Sequence, residues 1–322
     1  MQQASSSESL TSAPASVALA KRPRRRNTTG GGPGEALAAY LFLTPYLIVL
    51  GVFTIFTVGY GLYLSFFRVD IGFTAPEFIG LRNYQVLWLQ LFLNGDFWIS
   101  MVNIIKFVVV VVTGQTILGL FLAVLLNSIT WLKGVFRTIF YLPSVTASIA
   151  VAIIFLWLYT PQGGINYLLS LIHIVGPHWL EDPNTALPAI MFLNIWTTAP
   201  TFMIFFLAAL QDVPKELTEA ASVDGADRYR AFWHITLPLL RPTVFLVVAL
   251  GTIGGFQVFD QIKIMTEGGP LKSTLSPVYV IYSTAFTDNR FGLAAAMSVV
   301  LFIFIFVVTL IQRRFIDTGV QY

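Results

Sequence analysis

The sequence predicts an all-α integral membrane protein with six spans. Of its 322 residues, 56% are hydrophobic and only 11% are charged, whereas a soluble domain carries about 25% charged residues. Six stretches are apolar over roughly the 20 residues that a helix needs to cross a bilayer. The chain contains no cysteine, which excludes disulfides, thiolate metal sites and cysteine nucleophiles.

The six apolar stretches follow one another with polar segments between them. They cover about 36–67, 104–126, 135–159, 186–210, 239–259 and 293–311. The first is longer than one span, so we expect it to tilt, kink or extend beyond the bilayer. In the fifth, Gly251 and Gly255 form a G-x-x-x-G pair, which favours close helix packing.

Segment 1–35, before the first span, is rich in Ser and Ala and carries a run of five basic residues. This composition cannot build a core, and we expect a disordered tail. The apolar stretch that follows is far longer than the roughly 7–15 residues of a signal-peptide core, so we interpret it as a retained anchor.

The distribution of Lys and Arg predicts the orientation of the chain. Six spans place both termini on one side, and thirteen of the 19 basic residues lie on that side. We therefore expect both termini in the cytoplasm. The net charge of +3 is interpreted as this orientation signal, and no nucleic-acid partner is expected.

Sequence signatures of enzymes are missing. The text nearest to a phosphate-binding loop is Gly268–Thr274, where Leu271 replaces the second glycine and Pro270 removes an amide donor. The three histidines, His173, His178 and His234, do not have the spacing of zinc ligands. We predict no catalytic residue, no metal site and no cofactor in this chain.

Segment 211–238, between the fourth and fifth spans, is the longer of the two segments that connect spans on the predicted cytoplasmic side. Pro214 suits the first turn of a helix, and Leu217, Ala220 and Ala221 share one helix face. The pattern predicts a short helix that begins near Pro214.

The same segment predicts a turn and a second helix. Gly225 suits a chain reversal after the first helix. Asp224 can help to start the second one, with Asp227 three residues later. By spacing alone, a structural loop and a docking site for a cytoplasmic partner are equally good interpretations.

Several motifs resemble those of one transporter family. The run Glu219-Ala220-Ala221-x-x-Asp224-Gly225-Ala226, followed by Phe232-x-x-Ile235-x-Leu237-Pro238, resembles the EAA signature of permease subunits in bacterial binding-protein-dependent ABC importers. Further stretches are similar to the maltose and glycerol-3-phosphate permeases of the sugar-importer branch: Phe78-Ile-Gly-Leu-x-Asn83-Tyr84, Asp182-Pro-Asn184, Phe259-Asp260 and Thr266-x-Gly268-Gly269-Pro270. The resemblance covers nearly the whole chain after the tail.

This resemblance implies a fold, a location and a set of partners. The fold would be the six-helix transmembrane domain of a type I ABC importer, in the bacterial plasma membrane. The chain would have no catalysis of its own and would translocate a carbohydrate or related polar solute. Its partners would be a second permease, an ABC ATPase dimer that binds ATP and Mg, an extracytoplasmic solute-binding protein and membrane lipid.

The resemblance also implies residue roles in segment 211–238, which we call the coupling loop. Glu219 would pair with a polar or basic group of the ATPase, Ala220 and Ala221 would pack closely against it, and Gly225 would make the turn. The apolar Ile235 and Leu237 would anchor the loop to the membrane body. The expected coupling residues are Glu219, Ala220, Ala221, Asp224, Gly225, Ala226, Ile235, Leu237 and Pro238.

A sugar path needs hydrogen-bonding groups for hydroxyls and aromatic rings for the apolar sugar faces. The candidates within the spans are Asn194, Trp196, Phe256, Gln257 and Asp260. Each has an alternative interpretation as an interfacial anchor or as a tie between helices.

Alternative functions stay open at this point. A secondary transporter or channel without an ATPase explains the composition equally well, although not the coupling loop. The scarcity of titratable groups inside the spans argues against ion coupling. A membrane-embedded enzyme would need catalytic residues clustered at one depth, which the sequence does not contain. Glycerol phosphate is an alternative cargo, but no basic cluster inside the spans favours it.

Overall fold

The computed structural model of the chain describes residues 33–69, 76–129 and 131–316. The chain divides into two compact units, with the boundary after Phe56. Most of the predicted tail, residues 1–32, lies outside the described residues. Residues 33–35, which we assigned to the tail, begin a helix instead, and a proline at a first helical position is favourable because it lacks the N–H that would stay unbonded there.

The first unit consists, in its described part, of one apolar helix. Helix α1 (Pro33–Val49) continues into a π-helical segment, Leu50–Phe56. Pro45 lies inside α1 and removes one backbone hydrogen bond there. The expectation that this long stretch tilts, kinks or extends beyond the bilayer stays a prediction.

The second unit holds the other described elements. These are α2 (Thr57–Leu64), β1 (Phe67–Arg68), β2 (Glu77–Phe78), α3 (Arg82–Phe92), α4 (Asp96–Ser128), α5 (Lys133–Val145), α6 (Ser148–Leu158), α7 (Gly164–Leu171), α8 (Ala186–Asp212), α9 (Lys215–Val223), α10 (Arg228–Ala231), a π-helical segment (Phe232–Thr236), α11 (Leu237–Leu239), α12 (Arg241–Phe256), α13 (Asp260–Met265), α14 (Pro277–Phe286) and α15 (Phe291–Ile316).

Five helical stretches of the described chain are long and apolar enough to cross a membrane. They are Leu37–Leu64, Asp96–Ser128, Ala186–Asp212, Arg241–Met265 and Phe291–Arg314. A sixth crossing requires α5 and α6 together. These two helices meet at an angle of 90°.

A bend between α5 and α6 interrupts the third predicted stretch, 135–159. Thr146 and Ala147 have ψ angles of 139° and 132°, which are extended values rather than helical ones. Pro143 lies just before them in α5 and weakens its last turn by removing a backbone donor. Hydropathy does not detect this break because the hydroxyl side chains of Ser144, Thr146 and Ser148 are only mildly polar and apolar residues flank them.

Helix α4 is the centre of the second unit, where it packs against α8, α12 and α14. Phe97, Ile104 and Phe107 of α4 are completely or almost completely buried, as are Ile190 and Leu193 of α8. These side chains form a continuous apolar core.

Two glycines bring α12 close to α4, as the G-x-x-x-G pair predicts. A Cβ atom added to Gly255 would lie 3.0 Å from Cγ2 of Val108, and one added to Gly251 would collide with the side-chain amide of Gln115. The pair therefore serves helix packing.

A short hairpin at the end of the first span carries one of the family-like motifs. Strands β1 and β2 are antiparallel, with Phe67 opposite Phe78. The Asn83 Nδ2 group donates to the carbonyl oxygens of Ser65 at 2.8 Å and Phe67 at 3.1 Å. The Tyr84 hydroxyl donates to Oγ of Ser65 at 2.7 Å. Asn83 and Tyr84 thus bind α3 to the chain that enters the hairpin.

Candidate functional site

The coupling loop contains the predicted first helix and turn. Helix α9 begins directly after Pro214. Gly225 has φ +84°, which L-residues rarely adopt. The amide of Ala226 donates to the Ala221 carbonyl at 2.9 Å and so closes the end of α9, as in a glycine-terminated helix.

The acid that caps the second helix is Asp227, and the expectation that Asp224 starts it is wrong. Oδ1 of Asp227 accepts a hydrogen bond from the amide of Arg230 at 2.7 Å. Asp224 is instead the C-cap residue directly after α9, and its amide donates to the Ala220 carbonyl at 3.0 Å. Because the chain reverses at Gly225, the second helix begins later, and its cap residue lies two positions after Gly225.

One side of the coupling loop is open to solvent. Glu219, Ala220, Asp224 and Gly225 are exposed. Large apolar side chains are exposed beside them, with Val223 at 88% and Tyr229 at 71% of their surface, together with Leu217 and Trp233. A polar loop that displays several large apolar groups is typical of a protein-binding surface.

The other side of the loop faces the body of the second unit. Ala221, Ala226, Ile235, Leu237 and Pro238 are half-buried, and Leu240 is buried. A cleft of about 440 Å³ separates the loop from the C-terminal ends of α4 and α8, and its walls include Asn127, Leu210, Thr218, Ser222 and Phe232. The predicted anchor residues therefore lie on the side of the membrane helices.

Asn194, a candidate for the solute path, belongs to a hydrogen-bonded seam between helices. Its Nδ2 group donates to Oε1 of Gln261 at 2.9 Å, which joins α8 to α13. One turn later, Thr198 donates to Oε1 of Gln115 on α4 at 2.7 Å. Asn194, Gln115 and Gln261 are all buried.

Sequence analysis missed Gln115, Thr198 and Gln261. They belong to no motif, and their partners are 67 or more positions away in the chain. The available signal was that amide side chains inside apolar spans need a partner.

The structure gives the other path candidates different environments. Phe256 is buried and packs edge-on against Phe304, with 5.3 Å between ring centroids. Trp196 is partly exposed, 5.4 Å from the ring of Phe155. Gln257 is exposed, and Asp260 is half-buried in the first turn of α13. Their role in solute passage stays a prediction.

Metal chemistry has no support in the described ranges. No group of three or more His, Asp or Glu side chains there is placed to hold a metal ion.

The loop Thr266–Thr274 is closed on itself, since the Thr274 hydroxyl donates to the Gly269 carbonyl at 2.6 Å.

Comparison with known families decides the class of this chain. Residues 115–318 match the family described as the inner membrane component of binding-protein-dependent transport systems. The chain belongs to this family. The match contains the coupling loop and α8 through α15, so this permease carries the family's domain over most of its membrane region.

The sequences of known permeases align with nearly the whole chain. It is 37% identical over 294 residues to the probable ABC transporter permease YesP of Bacillus subtilis strain 168, which covers 89% of this chain and 93% of that protein. It is 34% identical to the trehalose/maltose permease MalF of Thermococcus litoralis, with 87% and 94% covered. It is 32% identical to the sn-glycerol-3-phosphate permease UgpA of Escherichia coli strain UTI89, with 88% and 95% covered.

A solved structure shares the fold. One chain of a bacterial ABC transporter involved in the import of the acidic polysaccharide alginate superposes with a TM-score of 0.76 and 22% identity, over 89% of this permease and 98% of that chain. The predicted fold class, the type I ABC importer permease, is confirmed. This protein is a multi-pass inner-membrane transport subunit.

Proposed function

We propose that this permease is the membrane-spanning subunit of an ATP-driven importer for a carbohydrate or related polar solute. Its coupling loop docks on a separate ABC ATPase that binds ATP and Mg. A solute-binding protein delivers the solute from the opposite side of the membrane, and a second permease completes the path, since six spans are few for a gated path. Both termini then lie in the cytoplasm.

The observation that carries this proposal is the surface of α9. In the chain, α9 lies between the membrane helices α8 and α12. Its exposed side carries an acid, Glu219, a small residue, Ala220, and two large apolar side chains, Leu217 and Val223. The alanine allows close approach of a partner surface, and the carboxylate of Glu219 suits a basic partner. Movement of α9 would be passed to α8, which is separated from α9 by two residues, and to α12 through α10, the π-helical segment and α11.

Two substitutions test the docking. Glu219→Lys reverses the charge on the exposed side of α9, and Gly225→Val places a β-branched residue at a positive φ, where it is strained. We expect both variants to lose most solute uptake and the ATPase activity that solute stimulates. Purified importer in proteoliposomes gives both rates.

Glu181→Lys serves as the matched control, because it makes the same charge change at an exposed position outside the coupling loop. We expect normal uptake for it. Assembly is followed separately by co-purification of the ATPase. If Glu219→Lys and Gly225→Val assemble and transport like the unmodified importer, the coupling assignment is wrong.

A carbohydrate cargo is supported by relatives such as the trehalose/maltose permease and by the aromatic and amide side chains in and beside the spans. Competition experiments test it: labelled maltose and trehalose are offered to cells that contain the importer, with and without an excess of other sugars. Uptake that depends on the permease supports the carbohydrate class.

Glycerol phosphate is a second candidate cargo that one feature of the structure favours. A cleft of about 500 Å³ near the hairpin is lined by three arginines, Arg68, Arg82 and Arg290, and by two acids, Glu77 and Asp288. The arginines outnumber the acids, and guanidinium groups suit phosphate. Relatives named for sn-glycerol 3-phosphate are about as similar as the sugar permeases. Permease-dependent uptake of glycerol 3-phosphate, insensitive to excess maltose, would favour this cargo.

The partners are tested by gentle purification from the native membrane followed by mass spectrometry. We expect an ATPase and a second permease. Recovery of the permease alone, under conditions that keep other complexes whole, would favour a secondary transporter or channel instead.

A further inference from the structure

Four aromatic rings form a row near the N-terminal ends of α13 and α15, on the predicted outer side. Phe259 and Tyr282 have ring centroids 5.1 Å apart, Tyr282 and Phe286 5.2 Å, and Phe286 and Phe291 5.7 Å. Three separate segments supply them, since Phe259 precedes α13, Tyr282 and Phe286 belong to α14, and Phe291 begins α15. Tyr282 and Phe286 are exposed, the latter at 64% of its surface.

Polar side chains accompany one end of this aromatic row. Nζ of Lys263 lies 5.9 Å from the ring centroid of Tyr282 and 5.6 Å from that of Tyr279, and it is paired with the Glu267 carboxylate at 3.1 Å. Gln257 and Asp260 lie within two positions of Phe259 and are exposed and half-buried, respectively. Neither of these two side chains forms a hydrogen bond with the described part of the chain, so both are available to a ligand.

The presence of polar side chains beside the aromatic row decides between two interpretations of it. Aromatic residues alone are typical of the belt at a membrane interface. A carboxylate and an ammonium beside them are costly on a surface that faces hydrocarbon and are normally turned towards water or the interior of a bundle. The row therefore faces an aqueous space rather than lipid tails.

Rings together with an unpaired carboxylate and amide are the chemistry that binds carbohydrates. Ring faces cover the apolar C–H faces of a sugar, while a carboxylate and an amide bind its hydroxyl groups. Rings that follow one another at 5–6 Å present more than one such contact in sequence.

We infer that the aromatic row, together with Gln257 and Asp260, is a carbohydrate-contacting surface at the outer mouth of the solute path. The inference rests on the proposed carbohydrate cargo and deepens it. It assigns contacts to Tyr282 and Phe286, which lie outside the apolar spans.

The natural absence of cysteine permits a direct test in the complete importer. Tyr282→Cys and Phe286→Cys are each introduced alone and treated with a membrane-impermeant maleimide in right-side-out vesicles. Phe121→Cys is the matched control, because Phe121 is 61% exposed but lies between the exposed apolar residues Ile117 and Leu125 on α4. Maltose, trehalose and glycerol 3-phosphate are the probes.

We expect Cys substitutions at Tyr282 and Phe286 to react and the one at Phe121 to stay unlabelled. A probe at ten times its dissociation constant should slow both reactions about tenfold by occupying the site. The protecting probe should be the one that the importer takes up, and a non-transported probe should not protect.

Three outcomes would overturn the inference, and they differ in whether the proposed function survives. Labelling as poor as at Phe121 would place the row against lipid or another subunit. If the cysteines are labelled but are not protected by a sugar that the importer takes up, the proposed function stands and the row does not bind that sugar. If the unmodified importer takes up neither sugar, the carbohydrate cargo and the row's assignment fail together.

A kinetic measurement distinguishes contact with solute from a structural role. Tyr282→Ala should raise the KM of uptake about tenfold, the equivalent of about 1.4 kcal/mol, with little change in maximal rate. Tyr282→Phe keeps the ring and should restore the original KM. A loss of maximal rate or of membrane-inserted protein, with KM unchanged, would indicate a structural residue instead.

Discussion

Two glycines of this permease are required for different reasons, one by backbone conformation and the other by close packing. At Gly225 a side chain would meet nothing within 4 Å, but φ is +84°. At Gly251 the backbone is helical, yet a Cβ would collide with the Gln115 amide. The cost of a side chain at Gly225 and the cost of one at Gly251 should therefore be relieved by different changes.

At Gly225 the cost of a side chain is conformational. Gly225→Ala should destabilise the coupling loop by about 1–2 kcal/mol, the cost of the left-handed region for an L-residue, and Gly225→Asn by less. Thermal unfolding midpoints of the purified permease in detergent give the order. Gly134→Ala is the control, since Gly134 lies in α5 with open space around it. An equal midpoint for Gly134→Ala and Gly225→Ala would contradict the argument.

At Gly251 the cost is steric and depends on one neighbour. Gly251→Ala should destabilise the permease by about 1–3 kcal/mol through overpacking. Gln115→Ala alone loses the hydrogen bond from Thr198, but in the double variant it also removes the colliding amide. The double variant should therefore lose less stability than the sum of the two single losses, which is a non-additive pair. Gly254→Ala, with nothing within 4 Å of its added Cβ, should be nearly neutral. Additive losses in the double variant would rule out the collision.

At the scale of elements, local patterns predicted what depends on neighbouring residues. The apolar stretches, the start of α9 near Pro214 and the turn at Gly225 follow from residues close together in the chain. The 90° bend between α5 and α6 did not follow, because extended backbone at Thr146 and Ala147 has no distinctive composition.

Contacts between distant segments were also out of reach of sequence patterns. The bond of Asn194 to Gln261 joins residues 67 positions apart, and an isolated glutamine in a span gives no sign of its partner. The sequence likewise gave no sign that Phe256 is buried against Phe304, and its role in the path stays a prediction. The coupling loop is the more predictable site because its geometry is local.

The hairpin provides an element-scale prediction, because one buried side chain holds it to α3. Asn83→Asp keeps the shape of the side chain but loses the Nδ2 donor to the Ser65 and Phe67 carbonyls. We expect a loss of about 1–3 kcal/mol, the range for unsatisfied buried groups, and faster hydrogen exchange in β1 and β2. Gln85→Glu, on the exposed side of α3, makes the same chemical change and should leave exchange unaltered.

At the scale of the whole molecule, the number of crossings depends on α5 and α6. Their 13 and 11 residues give lengths of about 20 Å and 17 Å at 1.5 Å per residue, whereas the hydrocarbon core is about 30 Å thick. Neither helix crosses alone. Only as one broken span do they bring the total to six, with both termini on the same side, as the distribution of basic residues predicts.

The position of the residues that flank this pair decides between a broken span and a re-entrant loop. Trp131 precedes α5 and Gln162 follows α6, and both are exposed. In single-cysteine variants, Gln162→Cys should react with an impermeant maleimide in intact spheroplasts, and Trp131→Cys only after the membrane is permeabilised. A re-entrant loop would place both on one side and give them the same response. It would leave five crossings and put the termini on opposite sides, so the coupling loop and the basic tail could no longer share the cytoplasm.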